Sequence, residues 1–169
     1  MTTRSIDTVP VANTPPGGYG DRLPPPILAG CVEALVDGAP DLRGWWETVA
    51  AFVDGRPTDA HPSIGHRQRI EQAGDRLVVT GGGIVHDMRC DGTVERGVHD
   101  VAEFDKTTEI TVVATYENDA HVLRPVGIPI EVRRWRDGPD MMWQYVGFTA
   151  RLRRLGPPDT EPVQSDDGR

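Results

Sequence analysis

Beyond Gly44 the chain is cut into short lengths by turn signals. Asp54-Gly55, Ala73-Gly74, Asp91-Gly92, Asn118-Asp119 and Asp137-Gly138 fall between runs rich in Val, Ile, Thr and aromatic residues. Runs with an apolar period of two, punctuated in this way, are strands joined by tight connections. The pattern places strands near 44–53, 65–72, 75–81, 84–90, 93–101, 109–117, 120–126, 129–136 and 141–154. Sequential strands with short links form an antiparallel meander, and closing a meander into a barrel removes its exposed edges. The expected fold is therefore mainly β, an antiparallel up-and-down barrel of 8–9 strands.

The flanks read differently. Residues 1–25 are Pro- and Gly-rich with few apolar anchors, and residues 156–169 share that character. Both are expected to be flexible, leaving one barrel domain over 26–155. A short helix should open that domain. Leu28, Cys31, Val32 and Leu35 make one apolar stripe at i, i+3, i+4 and i+7, with Pro26 at the first turn and Gly38 as a C-cap.

Charge and cysteine usage exclude several classes. The formal net charge of −8 opposes binding to nucleic acid or to an anionic membrane surface. No apolar run is long enough to span a bilayer. No secretory signal is apparent at the N-terminus, and Cys31 and Cys90 are too few for a disulfide framework. Two free thiols in a reducing cytoplasm are the expectation. The sequence leaves room for a homodimer.

Hairpin arithmetic assigns faces. A two-residue turn at Asp91-Gly92 pairs Cys90 with Thr93 and sets Asp87 opposite Arg96, an outward charge pair. Ile84, His86, Met88, Gly97 and His99 then point inward. The turn at Ala73-Gly74 sets Glu71 opposite Arg76, also outward, and turns His66, Gln68, Ile70, Leu77 and Val79 inward. The turn at Asn118-Asp119 gives Ile110, Val112, Ala114, Tyr116, His121 and Leu123 one shared inward face. If Arg136 pairs with Met141, then Ile130, Val132, Trp143, Tyr145 and Gly147 form another. Four of the five histidines thus face the interior.

The stretch Leu42, Gly44, Trp46, Val49 and Ala50, running on to Asp54-Gly55-Arg56-Pro57, resembles the opening G-x-W signature of the lipocalin (calycin) family, and of short bacterial lipocalin-like domains in particular. The resemblance implies a barrel that holds one apolar ligand in its mouth. It also implies that an Arg near the end of the last strand packs across Trp46, with Arg151, Arg153 and Arg154 as candidates. The R-x-Y clamp of fatty-acid-binding proteins is absent, since the comparable strand reads Trp143-Gln144-Tyr145. The G-x-W-x-G-x-G haem signature is absent too.

The candidate ligand-binding residues are His66, Gln68, His86, Met88, His99, Tyr116, His121, Trp143 and Tyr145. Aromatics with a few polar groups suit a small, mostly apolar or amphipathic molecule with a polar end. An inward Arg134 or Arg151 would favour an acidic ligand. The alternative is a barrel enzyme, an isomerase, hydratase or cyclase, in which His86, His99 or His121 moves protons. No metal or cofactor is expected, because the four histidines come from separate strands without ligand spacing. A haem or metal carrier is the third reading.

Overall fold

A computed structural model describes residues 2–163. The elements are β1 (Gly44–Val53), β2 (Arg56–Pro57), β3 (Arg67–Ala73), β4 (Arg76–Gly81), β5 (Ile84–Arg89), β6 (Val98–Val101), β7 (Glu109–Glu117), β8 (Ala120–Pro125), β9 (Val132–Asp137), β10 (Asp140–Tyr145) and β11 (Phe148–Gly156). They form one 11-stranded sheet in the order β5-β4-β3-β1-β11-β10-β9-β8-β7-β6, with β2 beside β1. Every pairing within it is antiparallel. The two free ends also meet. Arg89 N donates to Arg96 O at 2.7 Å, and Asp91 bridges to Thr115. The result is a nearly closed antiparallel β-barrel. Two features take the strand number beyond the expected 8–9: the short β2, and a turn at Val146-Gly147 that divides the stretch read as 141–154.

The register follows turn chemistry. Asn118 and Asp119 both have positive φ, 50° and 60°, as a primed hairpin turn requires, and Tyr116 pairs with His121. Arg136 pairs with Met141. In β3–β4 the turn lies one residue later than expected, pairing Ala73 with Arg76. That shift moves the pairing by two residues and leaves every side chain on its expected face.

The Asp91-Gly92 hairpin does not form. Asp91 instead caps a local turn, its Oδ1 accepting from Thr93 N at 3.0 Å and from Thr93 Oγ1 at 2.7 Å. The chain loops out and re-enters at β6, where Val98 is buried and pairs with Val112. His99 consequently faces outward and is exposed, its Nε2 2.7 Å from Val94 O.

The helix expected at 27–37 is also absent; no helix occurs among the described residues. Gly30 takes φ +84°, and a Cβ there would stand 2.6 Å from Thr2 O. The N–H groups of Ile27 and Leu28 donate to the Glu71 carboxylate at 3.1 and 2.9 Å. Val32 is 74% exposed, so the apolar stripe is never assembled.

Two cores result. The main one fills the barrel around Trp46, Leu42, Ile70, Leu77, Met141 and Leu152. Trp46 is fully buried at one end, and its Nε1 donates to Leu42 O at 2.8 Å. Arg136 packs over its ring, with Cζ 5.4 Å from the centroid. Arg151, Arg153 and Arg154 do not take that place. Arg151 binds Asp137 and Asp140, Arg153 lies against Glu47, and Arg154 Nε donates to Arg43 O.

The second core lies outside the barrel, where Ile6 and Leu28 pack on Ala73, Val78 and Val85. Residues read as an arm with few anchors lie along β3–β5 and cover charges expected to meet solvent. Glu71, Arg76 and Asp87 are 4%, 3% and 5% exposed. Arg76 pairs with Asp87, not Glu71, and Asp87 does not face Arg96. Pro157–Val163 carry no strand, and the remaining tail, 164–169, lies outside the described residues.

Candidate functional site

The barrel holds a cavity of about 160 Å³ that is partly open to solvent. Its wall is largely apolar, with Val79, Ile84, Met88, Val98, Ile110, Val112, Leu123, Ile130 and Val132 contributed by β4–β9 and the loops between them. Phe104, at 77% exposure, and Ile128, at 52%, also line it. The alternation of strand side chains delivers these groups: residues 110, 112, 114 and 116 of β7 face in, while Thr111 and Thr115 face out.

Six of the residues expected from the sequence line this space: His66, Gln68, His86, Met88, Trp143 and Tyr145. Tyr116 and His121 are on the inward face but outside the cavity lining. His121 is fully buried with Nε2 3.4 Å from Met88 Sδ, and Tyr116 Oη accepts from Gln72 Nε2 at 2.9 Å. His99 belongs to the outer surface.

Burial controls the titration of these groups. It pushes His121 well below the ordinary imidazole range, and the nearby Arg134 charge adds to the effect. It lowers His86 as well, against the hydrogen bond to Val101 O at 2.8 Å. Both imidazoles are therefore neutral at pH 7. His86 Nε2 serves as the donor to that carbonyl, which leaves Nδ1 as an acceptor. Burial also raises the phenols of Tyr116 and Tyr145.

The polar group that sequence reasoning left conditional is Arg134. The Arg136–Met141 register sets Arg134 opposite Trp143, on the face that turns inward, so the signal was present. Arg134 is 5% exposed and lines the cavity. Its Nε donates to Gln68 Oε1 at 3.0 Å, and Cζ lies 5.3 Å from the Trp143 ring centroid. Desolvation lowers it to about 10, with Glu103 opposing, so it remains a cation at neutral pH. Its Nη1 has no hydrogen-bond partner, and neither does Trp143 Nε1. Glu103, carried on the loop after β6, was not anticipated. Its Oε1 is 3.5 Å from His66 Nε2.

Among the described residues no group of three or more His, Cys, Asp or Glu side chains is placed to hold a metal ion. No helix among them is long and apolar enough to cross a membrane. No protein-family model matches the chain, and no curated protein matches it. The nearly closed antiparallel barrel is compatible with a calycin-like fold.

Proposed function

We propose that the chain is a lipocalin-like binding protein that holds a small, mostly apolar molecule with a polar end inside its barrel. One observation carries this reading. The interior contains an apolar-walled space whose polar side chains are few: Arg134, Gln68, His66, His86, Glu103 and Tyr145. Ligand sites have this composition, because apolar walls supply affinity and a few polar groups fix orientation.

The test uses benzyl alcohol as the probe and methyl resonances of the full-length protein as the readout. Saturating probe should shift the Met88 and Val98 methyl signals, and Val79→Phe, which fills the space, should abolish the response. Unmoved cavity methyls in the unsubstituted protein would refute the proposal.

A barrel enzyme is the second reading, and His66 beside Glu103 favours it over the histidines first considered. An imidazole next to a carboxylate can accept and return a proton. Under this reading Glu103→Gln abolishes turnover of a bound substrate while preserving its affinity; under simple binding there is no turnover to lose.

A further inference from the structure

We infer that the polar end of the ligand is a monoanion, a carboxylate held by Arg134, on a body about the size of one aromatic ring. The inference rests on the ligand-binding reading above.

The fold buries three arginines to similar depth and partners them unequally. Arg69, Arg76 and Arg134 are 3%, 3% and 5% exposed. Arg76 is fully met. Its Nε and Nη2 bind Asp87 at 2.9 and 2.7 Å, and its Nη atoms also donate to Ile6 O, Val9 O and Pro10 O. Arg69 donates to Pro24 O at 2.9 Å and has Glu71 at 3.6 Å. Arg134 has a single hydrogen bond, to a neutral amide, and no carboxylate within ion-pair distance among the described residues. A buried cation without a partner is costly, and a guanidinium presents a planar fork suited to a carboxylate. Gln68 fixes Nε, which orients that fork.

Size and charge narrow the class further. A cavity of about 160 Å³ is close to the roughly 150 Å³ apolar cavity that accepts benzene. Glu103 contributes the one carboxylate to the lining. It offsets part of the Arg134 charge, though it stands beyond ion-pair distance, so the site has at most one negative charge to balance and a dicarboxylate or a dianionic phosphate is disfavoured.

The experiment is calorimetric titration of the full chain with benzoate, benzamide and benzyl alcohol, three bodies of one size. Benzoate should bind about tenfold or more tightly than benzamide, as expected for a charge-assisted contact. In Arg134→Met, which keeps an apolar stem of similar length, that advantage should fall to about twofold or less. Arg134→Lys keeps the charge without the fork and should retain part of it. If benzamide and benzyl alcohol bind the unsubstituted protein as tightly as benzoate, the anion is refuted and the binding reading survives. If none of the three binds, the binding reading fails with it. The unsubstituted comparison decides even where a variant does not fold.

Discussion

The outer surfaces of β3–β5 and of β7–β11 carry the same kinds of charge and treat them in opposite ways. Over β3–β5 the N-terminal segment covers Arg69, Glu71, Arg76 and Asp87: its backbone carbonyls accept from the two arginines, and its N–H groups donate to the two carboxylates. Over β7–β11 nothing among the described residues covers Arg124, Glu117, Glu131 and Arg151, which pair with each other or with Asp137 and Asp140 in contact with water. Outward on a strand is thus a direction and not an environment. A charged residue pointing away from a barrel can still be interior if another segment lies over it.

The largest expected effect separates these surfaces. Arg76→Ala strips Asp87 of its cationic partner, leaves the Val9 and Pro10 carbonyls without their side-chain donor and takes from Ile6 O one of its two, Arg89 Nη2 being the other. Breaking a buried pair in this way should lower the unfolding free energy by about 3–5 kcal/mol in urea denaturation. The comparison is sharpened by repeating the substitution in a chain lacking residues 2–12. Water then reaches the pair, and the same change should cost less than about 1 kcal/mol. An unchanged cost in the shortened chain would mean that the covering segment is not what makes the pair matter.

On the open surface, Arg151→Ala removes contacts to Asp137 at 2.7 Å and Asp140 at 2.9 Å. The expected loss is below about 1 kcal/mol, and smaller still in concentrated salt. A loss as large as that of Arg76→Ala would break the comparison.

The subtlest contrast is in titration. Burial raises the Glu71 carboxyl above its ordinary 4.5. The stability it contributes is therefore full below pH 4.5 and is lost as pH rises through its folded pKa. Hydrogen bonds from Arg124 and Thr115 lower Glu117 to about 2. Its contribution is full above pH 4.5 and is lost as pH falls through about 2. Carboxyl NMR titration should find the two on opposite sides of 4.5, and Arg124→Ala should return Glu117 toward that value.

Much of the barrel was legible from turn chemistry. The bounds of β1 and β7 match those read from the sequence, and Asn118-Asp119 fixes Tyr116 opposite His121. Parity protected the β3–β4 faces from a turn placed one residue early. It did not protect His99, because Asp91-Gly92 starts a loop instead of a hairpin. Gly97 marks the difference: its missing Cβ leaves room for the Val112 main chain, a close approach with no two-residue signature. The helix reading failed on its own stripe, since Gly30 and the Glu71 carboxylate capture the segment before it can wind.

The covering segment was the least legible. It is tied down by Pro10, Pro24 and Pro25 carbonyls as well as by Ile6 and Val9. A carbonyl acceptor is common to every residue type, so no pattern of side chains announces it. The cavity lies between these cases. His66 and Gln68 followed from strand parity; His86 and Met88 face in although the hairpin that assigned them does not form, because β5 alternates about an Asp87 that points away from the interior to Arg76; and Glu103 arrives on a loop whose path parity cannot trace.

The N-terminal segment meets its partners across long stretches of chain: Arg76 reaches Ile6 over 70 residues, and Asp87 reaches Ala12 over 75. On the ribosome, residues 6–12 emerge ahead of β4 and β5 and have no docking surface until β5 has been translated. Their attachment must follow the synthesis of a platform they precede in the gene, so the sheet is first built wet on that side and dried afterwards.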